Sequence, residues 1–213
     1  GCTVAVVCDG MGGAAGGKLA SDLAASTFLA DFRRERMAGS AVEPAMRHAC
    51  DAANRAVYEQ SQLSEDFTGM GTTLVAAFLS RDLAVIINVG DSRAYHFTRE
   101  DVSLVTRDHS MVAYMVERGE LTQEQAKLHP GKNVITRAVG TEEQVEGDLY
   151  HLTVRRDDCL LLCSDGLSNE MADQEMLFEV AHGVRKSDCC QRLLRIAKNR
   201  GAPDNVTVAM ALV

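Results

Sequence analysis

Four aspartates stand at the ends of apolar runs and are the residues of this chain best suited to act together chemically. Asp9 ends the first run and precedes Gly-Met-Gly-Gly. The other three lie beside Gly, Ser or Asn at similar positions: Asp91 after 85–90, Asp165 after 160–164, and Asp204 before 206–213. Any one of them alone would more often be a turn residue or a helix cap. Four at similar strand ends indicate a shared pocket, in which crowded carboxylates repel one another unless cations neutralise them.

The ligand set of such a pocket would be oxygen-only. The six histidines show no spacing typical of metal ligation, no Cys-x-x-Cys occurs, and only His109 lies in a motif-like stretch, Thr-Arg-Asp-His-Ser. Oxygen ligands favour Mg²⁺ or Mn²⁺ over Zn²⁺ or Cu²⁺. An open pair of such ions suits hydrolysis of a phosphate ester, because it activates water and neutralises charge on the phosphoryl oxygens. The residues alone therefore predict metal-assisted hydrolysis, with phosphate favoured and the substrate unspecified.

The glycine-rich turn after Asp9 also suggests nucleotide binding. Residues 12–18 read G-x-x-x-x-G-K, and residues 10–15 read G-x-G-x-x-A. A P-loop needs Ser or Thr after the lysine, where this chain has Leu19, and both motifs need a strand after the helix, where a second helix is predicted. The sequence therefore disfavours both.

A thiol phosphatase is a further alternative, because Cys189 and Arg195 have C-x5-R spacing. The residues between them include no glycine and lie on a predicted amphipathic helix, so this match is interpreted as coincidence. Cys8 and Cys163 adjoin the aspartates, but carboxylates raise the pKa of a thiol, and both are predicted to pack in the core.

The composition sets the class of protein. The 213 residues, 46% hydrophobic and 24% charged, contain no Pro/Ser-rich linker, which favours a single domain over 1–213. No apolar run approaches the ~20 residues that span a bilayer, so no membrane partner is expected. The net charge of −8 argues against a nucleic-acid partner. The seven cysteines, odd in number and mostly within apolar runs, favour reduced thiols and a cytoplasmic location.

The elements that must position the aspartates alternate between helix pairs and blocks of strands. Helices are predicted over 18–37, 44–62, 174–182 and 187–200, the last capped by Ser187 and ended by Gly201. Strands are predicted over 72–79, 83–89, 93–98, 102–106, 134–139, 149–154, 159–163 and 206–213. Their short connections indicate antiparallel neighbours. Residues 110–127 have a polar helical pattern that is broken at Gly119, which predicts a surface excursion. The order of elements predicts an α+β domain of stacked sheets covered by helices.

The chain resembles the metal-dependent Ser/Thr protein phosphatases of type 2C in their compact bacterial form. Seven segments in family order carry the resemblance: 9–13, 71–73, 88–95, 106–110, 135–140, 161–168 and 203–207. It implies a four-layer α-β-β-α sandwich of two antiparallel sheets. It also implies hydrolysis of phosphoserine and phosphothreonine in proteins by a hydroxide that bridges two Mn²⁺ or Mg²⁺ ions.

The resemblance assigns roles to the acidic residues. Asp9, Asp165 and Asp204 would be the catalytic residues, with Asp9 bridging both ions and the other two completing the first. The carbonyl of Gly10 would bind the second ion. Asp91, together with Asp165, would match a third and weaker metal site.

The resemblance implies partners as well. Residues 110–132 would form the flap of the family, which is thought to influence substrate access. The partners would be phosphorylated proteins, including a Ser/Thr kinase and its substrates, and the protein would be a monomer.

Two departures from the family pattern bear on chemistry. Where several members have a histidine after Asp-Gly, proposed as the general acid, this chain has Met11, so protonation of the leaving group falls to water or another group. Members usually begin with a strand carrying Arg-x-x-Asn-Glu-Asp, and residues 1–213 start on the following strand. The alternative function is therefore a catalytically weak phosphatase-like domain that binds phosphoproteins or regulates a partner.

Overall fold

The computed structural model describes residues 2–183, 185–202 and 204–213. Within them the chain forms two four-stranded antiparallel sheets, a two-stranded pair and seven helices. The strands are β1 (Thr3–Val7), β2 (Gly10–Met11), β3 (Gly71–Thr72), β4 (Leu74–Leu79), β5 (Leu83–Val89), β6 (Arg93–Phe97), β7 (Val102–Leu104), β8 (Asp148–Thr153), β9 (Cys159–Cys163) and β10 (Val208–Leu212). The helices are α1 (Gly13–Met37), α2 (Val42–Ser61), α3 (Met111–Glu117), α4 (Gln123–Leu128), α5 (Asp165–Ser168), α6 (Asp173–His182) and α7 (Cys189–Asn199).

The two large sheets face each other across a central core. The first has the strand order β1-β4-β5-β8 and the second β10-β9-β6-β7. Side chains of successive residues in the central strands lie on opposite faces of the sheet. They therefore pack alternately in the core between the two sheets and in the core beneath the helices. In β5, Ala84 and Ile86 lie in the core between the sheets, whereas Val85 and Ile87 pack beneath α1 and α2. Burial on both faces explains why these strands are continuously apolar in sequence.

Helix pairs cover the outer faces of both sheets. α1 and α2 pack on the first sheet through Phe28, Met46 and several fully buried alanines, and α6 and α7 pack on the second through Met176 and Leu193. The predicted four-layer α-β-β-α sandwich is therefore confirmed. α1 is 25 residues long. Neither α1 nor any other helix of the described chain is long and apolar enough to cross a bilayer.

Three predicted elements differ from the structure. α1 begins at Gly13 rather than at 18, because its glycine-rich first turns pack closely on the turn that follows Asp9. Residues 134–139 form no strand; two isolated bridges connect them, Ser110 with Ile135 and Thr72 with Val139. α7 begins at Cys189 after a short 3₁₀ turn, without the side-chain cap that was predicted at Ser187.

The prediction that short connections join antiparallel neighbours is wrong for β5 and β6. These strands belong to different sheets, although only residues 90–92 separate them. Gly90 has φ of +101°, a backbone conformation that favours glycine, and lets the chain leave one sheet and enter the other. As a result, Asp91 lies at the junction of the two sheets.

Candidate active site

Asp9 is fixed by its backbone where β1 passes into β2. β1 pairs with β4 and β2 with β3 in one continuous register, so that Asp9 lies opposite Thr73. The Asp9 amide donates to Thr73 Oγ1 at 2.9 Å, and its carbonyl accepts from Thr73 N and Thr72 Oγ1, each at 2.9 Å. These three bonds set the direction in which the Asp9 carboxyl leaves the strand.

Close packing of glycines fixes the turn after Asp9. A Cβ at Gly10 would lie 1.8 Å from the carbonyl oxygen of Gly17 in α1, and a Cβ at Gly17 would lie 2.7 Å from the carbonyl oxygen of Gly10. Side chains at these positions would therefore separate the helix from the turn. Glycine at 17 also leaves space beside the Gly10 carbonyl oxygen, which the family resemblance implies to be a metal ligand.

Asp91 occupies the turn that crosses between the sheets, and His109 braces this turn. The Gly90 amide donates to His109 Nδ1 at 3.1 Å, and the His109 amide donates to the Gly90 carbonyl at 2.9 Å. His109 Nε2 lies 3.1 Å from Asp148 Oδ2. Because Nδ1 accepts a hydrogen bond, a neutral ring carries its proton on Nε2, which faces Asp148; Arg137 Nη1 lies 3.2 Å from the same nitrogen and donates to Asp148 Oδ1. The imidazole is therefore a structural tie, as expected of a lone histidine.

Asp165 and Asp204 approach from the second sheet. Asp165 begins α5, a short helix that the sequence did not predict, and its Oδ2 accepts from Asn169 Nδ2 at 3.1 Å. Ser164 joins the two segments, because its hydroxyl donates to the Asn205 carbonyl at 3.1 Å and accepts from the Thr207 amide at 3.0 Å. Asp204 itself is exposed and accepts from the Asn205 amide at 2.7 Å.

The four aspartates act on one another electrostatically. Burial first, then the Asp165 and Asp204 carboxylates, raise the pKa of Asp9 to about 7; a side-chain hydrogen bond with Asp165 contributes further. Burial, Asp165 and Asp108 raise the pKa of Asp91 to about 7, with a smaller effect of Asp9. Burial and Asp204 likewise raise the pKa of Asp165. The structure thus brings the four predicted aspartates into one acidic region.

Neither neighbouring thiol is suited to nucleophilic attack. Burial raises the pKa of Cys8 to about 12, with smaller effects of Cys50 and Asp9. Burial also raises the pKa of Cys163 to about 12. Both thiols therefore stay protonated at neutral pH, and both pack in hydrophobic cores, as predicted.

A partly buried ion pair whose charges act on Asp91 and Asp165 was missed by reasoning from the sequence. Arg93 donates to both oxygens of Asp108, with Nη2 at 2.7 Å from Oδ2, and to the hydroxyl of Tyr95 at 3.2 Å. Its positive charge lowers the pKa of Asp165, against the larger effects of burial and Asp204. Arg93 and Tyr95 fall within the segment 88–95, but no local pattern indicates that the acidic partner of Arg93 lies 15 residues further on.

The donor set fits a divalent cation that prefers oxygen ligands. The candidate donors are the four carboxylates and the Gly10 carbonyl. Bound positive charge would relieve the repulsion between the carboxylates, which raises the pKa of Asp9, Asp91 and Asp165. Among the residues that the structure describes, no three His, Cys, Asp or Glu side chains form a ready-made cage. Mg²⁺ does not need one, because it usually keeps several waters and binds through one or two carboxylates together with substrate phosphate.

A groove of about 380 Å³ adjoins the glycine turn. Met11 lines it together with Ile135, Arg137, Thr141 and Glu142, among other residues. The groove reaches the glycine turn through Met11, and its lining includes none of the four aspartates.

The chain matches a known family over most of its length. The family model described as protein phosphatase 2C matches residues 1–202. The chain belongs to the protein phosphatase 2C family. A serine/threonine phosphatase, stp, of Listeria welshimeri is 36% identical over 210 residues, which are 97% of this chain and 83% of that protein.

Solved structures of phosphatases share the fold. The serine/threonine phosphatase of S. agalactiae is 33% identical with a TM-score of 0.90, over 100% of this chain and 88% of the other. The catalytic domain of PstP, solved in complex with two manganese ions, is 32% identical with a TM-score of 0.87, over 98% and 86% of the two chains. The resemblance to type 2C phosphatases drawn from the seven segments is confirmed.

Proposed function

We propose that this protein phosphatase 2C chain removes phosphate from phosphoserine and phosphothreonine in proteins, with Mn²⁺ or Mg²⁺ as its cofactor. Family membership and the named serine/threonine phosphatases among its relatives support this activity. The observation that carries it is the meeting of four carboxyl groups from separate elements, two of them with pKa raised to about 7. Nothing in the comparisons favours a catalytically weak binding module.

The roles of the residues follow from their positions. Asp9, Asp165 and Asp204, with the Gly10 carbonyl, would hold two cations, and Asp91 with Asp165 would hold a third. When bound, these cations activate water and neutralise the charge that develops on the phosphoryl oxygens.

The side chains near the site bear on two further steps, the choice of nucleophile and the protonation of the leaving group. The protonated thiols of Cys8 and Cys163 offer no covalent step. Met11 carries no ionisable proton, so the leaving serine or threonine oxygen takes its proton from water or another group.

Activity on a phosphothreonine peptide, with and without Mn²⁺, tests the proposal. We expect Mn²⁺-dependent release of phosphate. Asp9→Ala and Asp165→Ala should each lower the rate at least ~100-fold, because each removes a charge that holds the cations. Asp82→Ala, at an exposed position in the turn before β5, is the matched control and should keep full activity.

Two results would contradict the proposal. Absence of metal-dependent turnover in the parent chain would reject the activity, and full activity in both aspartate variants would reject the metal assignment.

We further infer the setting of the activity. The seven cysteines are free thiols in the structure, which supports a cytoplasmic location. The substrates would include a Ser/Thr kinase and its phosphorylated targets, and residues 110–132 would act as a flap beside the site. The protein would act as a monomer, which light scattering would check.

A further inference from the structure

Thr73 occupies an irregular rung of the ladder that holds Asp9. In a regular antiparallel ladder, every second pair of opposite residues exchanges two backbone hydrogen bonds. Here Thr73 N donates to the Asp9 carbonyl, but the Asp9 amide donates to Thr73 Oγ1 instead of to the Thr73 carbonyl. That carbonyl instead shares the single hydroxyl proton of Thr72 with the Asp9 carbonyl, since Thr72 Oγ1 lies 2.9 Å from each of the two carbonyl oxygens. The hydroxyl of Thr73 thus replaces a backbone acceptor at the position where the Asp9 carboxyl must leave the sheet.

The same hydroxyl also contacts the turn that carries Asp91. Thr73 Oγ1 lies 2.7 Å from Ser92 Oγ, and the two residues are 4% and 0% exposed. A Cβ at Gly90 would lie 2.7 Å from Thr73 Cγ2, so the side chain packs directly on this turn. One threonine therefore touches the backbone of both segments that present the acidic side chains.

The sequence alone assigns this residue no role, since Gly71-Thr72-Thr73 by itself carries little information. The relevant contacts span 64 residues to Asp9 and 19 residues to Ser92. Both residues are almost completely buried, so solvent is poorly placed to replace the bonds that a substitution would remove. A buried donor left without a partner is costly.

We propose that Thr73 is a positioning residue that, through the Asp9 amide and Ser92 Oγ, sets the spacing of the Asp9 and Asp91 carboxylates for divalent cations. This inference rests on the proposed metal-dependent activity. Residues that orient metal ligands typically change metal affinity 10–100-fold when they are replaced.

Mn²⁺ binding measured by isothermal titration calorimetry tests the role of Thr73. Thr73→Val keeps the shape and removes the hydroxyl, and we expect it to weaken Mn²⁺ binding about tenfold. Thr73→Ser keeps the hydroxyl and should stay within about threefold of the parent. The Mn²⁺ concentration for half-maximal hydrolysis of p-nitrophenyl phosphate should shift in the same order.

Thr106→Val is the matched control for a general structural effect. Thr106 is also 4% exposed, and its hydroxyl accepts the Ala94 amide at 3.0 Å. This variant should lose stability and keep its Mn²⁺ affinity. Parental Mn²⁺ affinity in Thr73→Val, or an equal loss in Thr73→Ser or Thr106→Val, would overturn the proposal.

Ser92→Ala gives a second test that does not depend on the folding of Thr73→Val. We expect it to weaken Mn²⁺ binding about threefold. Combined with Thr73→Val, it should add little, because both changes break one shared contact. Parental affinity in Ser92→Ala would overturn the proposal. If the parent chain itself neither bound Mn²⁺ nor released phosphate, the proposed function would fail instead.

Discussion

The backbone of Asp9 is held by hydrogen bonds, while its carboxylate lies near other negatively charged carboxylates. Three hydrogen bonds between its backbone and the residues Thr72 and Thr73 fix its position, and its carboxyl lies near those of Asp165 and Asp204. The folded backbone therefore enforces a repulsion that the unfolded chain does not experience. This repulsion should make the free energy of unfolding of the metal-free protein depend on pH.

In EDTA, we expect the free energy of unfolding to fall as pH rises from about 4 to about 7. The pKa of Asp9 is about 7 in the folded protein, above the ~3.9 of an unfolded aspartate. Between these two pKa values the folded state binds more protons than the unfolded state. Proton binding therefore stabilises the folded protein at low pH, and this contribution is lost as pH rises through the folded pKa. Urea unfolding at pH 5 and pH 8 measures the difference.

Asp9→Asn should reduce this pH dependence, because an amide is neutral at both pH values. Asp91 titrates in the same range and should leave part of the effect. Asp82→Asn, on the exposed turn before β5, is the control and should leave the dependence unchanged. An unchanged dependence in Asp9→Asn would show that Asp9 is ionised throughout.

The acidic residues could be predicted because each adjoins a strand end that is visible in the local sequence. Their supports could not be predicted in this way. Arg93, His109 and Thr73 act through partners that only the fold brings near, and their types are common in turns and strands. The sequence alone therefore indicates which groups meet, but not what orients them.

At the scale of elements, the first turns of α1 form one unit with the glycine turn. Their mutual approach leaves no room for a Cβ at Gly10 or Gly17. The hydrophobic pattern of the sequence begins only at Leu19, because glycines that permit backbone contact leave no apolar periodicity. This is why the predicted helix began late.

Gly17→Ala should destabilise the protein by about 1–3 kcal/mol, because the new methyl group would press on the Gly10 carbonyl. Helix propensity alone would favour alanine by ~1 kcal/mol. Urea unfolding measures the balance. Gly16→Ala has the same gain in propensity and meets only the Met70 side chain at 3.3 Å, so its effect should stay within ~1 kcal/mol. Equal stability of the two variants would contradict the packing argument.

At the scale of the molecule, the acidic region draws on both sheets. Asp9 extends from the first sheet, Asp165 and Asp204 adjoin the second, and Asp91 lies on the turn between them. The four-layer architecture could be predicted, because helix pairs and blocks of strands have different spacings of apolar residues in the sequence. The assignment of β5 and β6 to different sheets could not, since a three-residue connection ordinarily indicates a hairpin. That residues 1–213 form a single domain stays a prediction.

A cation held by residues of both sheets should stabilise the whole fold. At Mn²⁺ concentrations 100 times the dissociation constant, we expect about 2.7 kcal/mol of added free energy of unfolding per independent site. Thermal unfolding with Mn²⁺ and with EDTA measures this gain. Asp9→Ala should lose most of it, whereas Asp82→Ala should retain it. A similar gain in both variants would place the stabilising ion elsewhere.

The connection of three residues between β5 and β6 has a counterpart at the opposite end of the sandwich. There, residues 154–158 join β8 of the first sheet to β9 of the second. With short links at both ends, the two sheets can neither hinge apart nor slide without breaking strand pairs. The framework beneath the acidic region is therefore fixed, and any discrimination between phosphoproteins falls to segments outside the sheets.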